Sequence, residues 1–195
     1  KMWRRRRQMV CLGVFCVRVT SGELWLGANS NETQAQFASR VVLRAQREPS
    51  LAIVVRGLLY LEHRTPLSSG RKVIKDFLHD ASQRALPSVL RFADRARQRC
   101  RLYTEVFVAT TEKPFPAAFL ERLNVSAVLL FRPEQNRTVE EGMSSTQFGL
   151  ASAALTMLAP MLAAFDLVLV TRDDYVYAPW AFDVFATRFD PAALT

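Results

Sequence analysis

Cysteine, histidine and glycine are scarce in this chain, and each shortage closes off a class of function. Of three cysteines, Cys11 and Cys16 lie in an apolar N-terminal stretch, which leaves Cys100 alone in the remainder. One cysteine cannot form an internal disulfide, so no stapled scaffold holds this fold. With only His63 and His79 present, no Cys/His cluster has the spacing of a zinc site. The seven glycines form no dinucleotide fingerprint, P-loop or nucleophile elbow, which removes several common α/β chemistries. Internal repeats and low-complexity tracts are also absent.

Acidic residues are missing from the first eighteen positions, where Lys1, Arg4, Arg5, Arg6, Arg7 and Arg18 stand. The net charge of +8 is therefore mostly N-terminal, and residues 19–195 carry only +2. A nucleic-acid partner is not expected from such a balance. A second basic group, Arg84, Arg91, Arg95, Arg97, Arg99 and Arg101, has mostly helical spacing and reads as a solvated face or an anion-binding surface. What the chain has in quantity is apolar surface. Half its residues are hydrophobic and thirteen are Phe, enough for one sizeable core.

The basic block KMWRRRRQ followed by MVCLGVFCV has the order of a secretory signal. A signal anchor from Met9 to about Ala28 is the rival, against which the charges of Arg18 and Glu23 weigh. Small residues at Ser21-Gly22 and Gly27-Ala28 offer cleavage points. Residues 1–30 are accordingly assigned to a signal peptide or signal anchor, with a possible membrane tether, and residues 31–195 to a single domain. Sequons at Asn31, Asn124 and Asn136 agree with a lumenal address in the secretory pathway, in the endoplasmic reticulum or Golgi.

Along the chain, TQAQFASRVVLRAQRE predicts a helix that ends at Pro49. Residues 51–55 form a continuous apolar run expected of a strand buried on both faces. A turn-rich stretch follows, then a helical pattern from Val73 to about Arg99 interrupted at Pro87. Further strands are expected at residues 102–111, 125–133 and 165–177, the last with its exit loop. A short helix over AAFLERL and a buried helix over residues 146–164, bent or ended by Pro160, lie between them. Alternating strands and helices predict an α/β fold, a mostly parallel sheet flanked by helices.

In such sheets ligands bind beyond the carboxyl ends of the strands. Those ends read Arg56-Gly57, Thr110-Thr111-Glu112, Arg132-Pro133-Glu134 and Thr171-Arg172-Asp173-Asp174-Tyr175. Asp173-Asp174 is the sharpest feature, because Mg2+ or Mn2+ on a diphosphate needs only one or two protein carboxylates. Adjacent residues of an extended chain point opposite ways, however, so one acid reaches a metal unless the chain turns. Tyr175, Tyr177 and Trp180 follow, and such rings either stack on a base or sugar face or pack the edge of the core.

FDLVLVTRDDYVY, with an Asp opening the strand and Arg-Asp-Asp closing it, resembles the nucleotide-sugar-binding segment of GT-A-type glycosyltransferases. LAIVVRGLLY, followed by a helix and TEVFVATTEKP, is similar to the first strands of glycosyltransferase-like proteins. The resemblance implies a Rossmann-like, GT-A-like three-layer domain that transfers a sugar from a nucleotide-sugar donor to a glycan or protein acceptor. It implies Asp173 and Asp174 as ligands of Mn2+ or Mg2+, and Arg56, Arg172 and Tyr175 as donor contacts. The acids are adjacent rather than separated by one residue. Asp183 and Asp190 are the only later carboxylates, so either would serve as catalytic base. The alternative is a non-catalytic secreted or membrane-tethered binding domain, a decayed transferase.

Overall fold

Ser50–Arg56 (β2) is the axis on which the rest is hung: every residue from Ser50 to Val55 is buried. A strand apolar on both sides needs neighbours on both edges and helices on both faces, and it has them. The computed structural model describes residues 22–25, 32–57, 60–63, 77–80, 83–111, 123, 125–131 and 139–188. Besides β2, the strands are β1 (Gly22–Trp25), β3 (Tyr60–His63), β4 (Phe77–Asp80), β5 (Tyr103–Thr111), β6 (Ala127–Phe131) and β7 (Leu167–Arg172). The helices are α1 (Gln34–Arg47), α2 (Ala85–Cys100), α3 (Val139–Leu162) and α4 (Pro179–Arg188).

The main sheet has the order β1-β6-β5-β2-β7. β6, β5, β2 and β7 are parallel, and β1 adds an antiparallel edge with Gly22 opposite Phe131 and Trp25 opposite Val128. α1 and α3 pack on one face around Phe37, Val41, Val54, Phe107, Leu129 and Leu158. α2 and α4 cover the other, around Ile53, Val55, Phe92, Val106, Val108 and Phe182. The chain leaves β2 for β5 over the α2 face and returns from β6 to β7 over the α3 face. Opposite directions on opposite faces keep one crossover hand, as parallel connections require. This is an α/β, Rossmann-like three-layer fold. The chain reverses its winding between β2 and β7, and that pair of carboxyl ends is the topological switch point.

Local chemistry sets the helix ends. Thr33 and Gln36 form a capping box: Thr33 Oγ1 accepts from the Gln36 N–H at 3.2 Å, and Gln36 Oε1 accepts from the Thr33 N–H at 2.9 Å. Arg44 and Arg47 close α1, and Arg97 and Arg99 close α2, where cations complement the helix dipole. Half of the second basic group is engaged within the fold. Arg97 donates to Asp94 and to the Thr104 carbonyl, Arg95 to the Pro179 carbonyl, and Arg99 to Asp183.

Several expectations are revised. The helical pattern from Val73 gives way at Phe77–Asp80, which pairs as β4 with Tyr60–His63 in a two-stranded antiparallel sheet. Four residues are too few to show a decisive period, and a partner strand decided their state. Pro87 neither kinks nor splits α2; it sits in the first turn, where a missing N–H costs nothing. α3 begins at Val139, ahead of the helix expected from residue 146, and carries Pro160 near its end. Residues 22–25, set aside with the leader, are part of the sheet. The remainder of residues 1–30, the sequons at Asn31, Asn124 and Asn136, and nearly all of the AAFLERL helix lie outside the described residues. Among the described residues no helix is long and apolar enough to cross a membrane.

Candidate functional site at the switch point

β2 and β7 run in register, with Val55 opposite Thr171 and Arg56 opposite Arg172, so both strands end at the same level. Beyond that level the chains stay bonded. The Asp173 N–H donates to the Arg56 carbonyl at 3.0 Å, and the Gly57 N–H donates across the other edge to Ala109 at 3.1 Å. At the opposite end Asp166, which opens β7, accepts from the Ser50 N–H and hydroxyl, both at 3.1 Å. The strand-opening acid is thus a pin between β2 and β7. The two ends are fixed relative to each other by ladder and pin together.

Gly57 has φ +149°, a region that an L side chain rarely adopts. Its missing Cβ also makes room. A Cβ at position 57 would collide with the Asp173 carboxylate, which takes that space and is 4% exposed. Asp174 turns the other way, to solvent, within the turn that follows β7, where the Tyr175 N–H reaches back to the Arg172 carbonyl at 3.4 Å. Both of its oxygens are taken by Arg172, Nε to Oδ1 at 2.9 Å and Nη2 to Oδ2 at 2.6 Å. That bond holds the Arg172 guanidinium even more firmly protonated than usual. Arg172 also lies 5.2 Å from the Tyr175 ring centre, and Tyr175 itself is exposed.

Five residues singled out from the sequence therefore meet at the switch point: Arg56, Arg172, Asp173, Asp174 and Tyr175. Of the two acids proposed as a base, Asp183 does not join them. Asp183 bonds Arg99 at 3.3 Å, at the end of α2 that leads within three residues into β5, and so faces the amino edge of the sheet. Asp190 lies outside the described residues.

As a shared metal cradle the Asp173-Asp174 pair does not fit, because the two carboxylates diverge and one is forked to an arginine. Among the described residues no three His, Cys, Asp or Glu side chains converge. Asp173 alone meets the minimum of one carboxylate that a diphosphate-bound Mg2+ or Mn2+ needs. Arg172 is likewise not an open fork for phosphate while Asp174 holds it.

Two further groups belong to this edge. The hydroxyls of Thr110 and Thr171 are buried with no hydrogen-bond partner among the described residues. Alternation with Val108 and Leu169 puts both on the α2/α4 face, one strand to either side of β2. The strand-end census contained both threonines; their burial without a partner was not legible there. No protein-family model, curated protein or solved structure matches the chain.

Proposed function

We propose that the β2–β7 switch point binds a nucleotide sugar and that the domain is glycosyltransferase-like, passing the sugar to a glycan or protein acceptor. The observation that carries this reading is the paired ending of β2 and β7, with a buried carboxylate seated on a glycine at the crevice where open α/β sheets take ligands. Asp173 would hold the Mn2+ or Mg2+, and such an ion, when bound, offsets the charge of the diphosphate. Arg56, half-buried at the end of β2, is the cation nearest in sequence to Gly57 and would orient the donor phosphates. Gly57 leaves the room that the Asp173 carboxylate occupies at this edge. A lumenal setting in the secretory pathway belongs to the same reading.

The test is titration calorimetry of the protein with UDP and GDP, each with and without Mn2+. Metal-dependent binding should disappear in Asp173→Asn and persist in Asp174→Asn. No binding to folded protein under any condition would reject the donor site.

A second reading is a non-catalytic binding domain of the same ancestry. It is favoured by one observation: of the acids after β7, Asp174 is engaged by Arg172 and Asp183 by Arg99. Binding of nucleotide without any transfer or hydrolysis of UDP-sugars or GDP-sugars would select it.

A further inference from the structure

Exposure alternates along the last strand of the sheet. Asp166, Val168 and Val170 are exposed, the two valines by 44% and 40%, whereas Leu167 and Leu169 are half-buried and Thr171 is buried. The backbone alternates in step. The Asp173 N–H points at β2, where the Arg56 carbonyl accepts it, so Leu167, Leu169 and Thr171 serve that ladder. The N–H and C=O groups of Val168 and Val170 therefore face outward. β7 ends the strand order, and among the described residues no strand pairs with its outer edge. Nothing in Leu167–Val170 blunts that edge, since the run has no proline, no charge and no bulge. Such an edge takes a strand, and its own residues say which. Continued to half-buried Arg172, the outward row reads Asp166, Val168, Val170, Arg172: an acid and a base on either side of two valines.

We propose that β7 pairs antiparallel with β7 of a second copy of this chain, about a two-fold axis at Leu169, so that two five-stranded sheets become one. The outward row is complementary to itself when reversed. Antiparallel pairing must set outward-facing residues opposite each other, which allows axes at Val168, Leu169 or Val170. Only the axis at Leu169 sets Asp166 opposite Arg172. It does so twice, and sets Val168 opposite Val170 twice, as an isologous contact requires. Both charges have atoms to spare among the described residues. Arg172 bonds Asp174 through Nε and Nη2, which leaves Nη1, and Asp166 bonds Ser50 through Oδ2, which leaves Oδ1. Cross-strand valines and opposite charges each favour the pair. A seam of six residues is small beside the roughly 1,200 Å² of a stable interface, so the dimer forms with rising concentration. The pairing is independent of the donor-site reading above.

The test is sedimentation equilibrium of the full chain, without nucleotide or metal, from about 10 μM to 1 mM. A monomer–dimer equilibrium is expected, weakened about tenfold or more in Val170→Lys, which places a cation against Val168 of the other copy. Val184→Lys, at an equally exposed valine on α4, should leave it unchanged. Circular dichroism checks that both variants fold. The register has its own readout. Residues opposite themselves at a pair without hydrogen bonds lie about 4.5 Å apart at Cα, within disulfide reach. Leu169→Cys should therefore oxidise to a dimer bonded through the two substituted positions, which peptide mapping separates from bonds through Cys11, Cys16 or Cys100. A monomer at every concentration, a dimer indifferent to Val170→Lys, or a bond formed only from Val168→Cys or Val170→Cys would overturn the proposal. So would Val170-dependent fibres, or Val170-dependent partition onto phosphatidylcholine vesicles, in place of a dimer.

Discussion

The Asp173 carboxylate lies where a Cβ on Gly57 would be, so positions 57 and 173 are a matched pair across two neighbouring strands. The pairing joins two requirements that are usually separate: a backbone angle suited to glycine, and a buried acid that needs room.

Gly57→Ala meets both obstacles at once. Strain at positive φ together with overpacking against Asp173 should lower stability by roughly 2–5 kcal/mol. Urea denaturation measures it. Coupling is the sharper sign: Asp173→Ala added to Gly57→Ala should recover part of the loss, giving a non-additive double-mutant cycle. Strict additivity would mean the two side chains do not compete for one space.

The buried hydroxyls of Thr110 and Thr171, without a partner among the described residues, predict a gain rather than a loss. Valine keeps the β-branched shape and removes the unsatisfied group, so Thr171→Val should raise stability by up to about 1–3 kcal/mol. Thr110→Val should behave alike. If these hydroxyls serve a ligand, UDP affinity falls as thermal stability rises, the pattern of a functional site that costs stability. A less stable valine variant would show that each hydroxyl has a partner, such as ordered water.

At the other end of the sheet, Tyr103 donates a short hydrogen bond to Glu105, and Arg40 reaches the same carboxylate at 3.5 Å. Burial, then the bond to Glu105, push the Tyr103 hydroxyl well above its ordinary value. The folded state therefore holds this proton more tightly than the unfolded chain does. Its contribution is complete below the ordinary tyrosine pKa of about 10 and is lost as pH rises above that value. Denaturation between pH 9 and 11 should show stability falling with pH, and Tyr103→Phe should flatten that fall. An unchanged slope in the Phe variant would assign the alkaline loss elsewhere.

How much of this could be read in the sequence depends on where the information lies. The buried run of β2 and the residues ending β7 were legible, because continuous apolarity and strand-end polarity are local. The divergence of Asp173 and Asp174 was expected of an extended chain, whereas it arises in the turn after β7, where Arg172 engages Asp174. What escaped was set by distant partners: β4 was decided by its pairing with β3, and α3 reached back into residues too polar to suggest it. Asp183 qualified as a base only by elimination, and its bond to Arg99 depends on how α4 lies along α2, which no local pattern states. Gly57 was visible as a strand-end glycine, but its pairing with Asp173 needs the strand order.

β1 carries a prediction about the N-terminus. Residues 22–25 close the β6 edge, and the Leu24 carbonyl accepts from Gln34 Nε2 at 2.8 Å, tying the strand to α1. A protein starting at residue 22 keeps this strand, whereas one starting at residue 28 loses it. The second should be less stable by about 1–3 kcal/mol, in the range of a lost packing element. It should also aggregate more readily, since the bare β6 edge offers unpaired backbone groups to other chains. Denaturation and light scattering of the two forms make the comparison. If a leader is removed, the same reasoning favours cleavage at Ser21-Gly22 over Gly27-Ala28, which N-terminal sequencing of secreted material would decide. Equal stability of the two forms would mean that β1 is an ornament on the sheet, and would leave both cleavage points open.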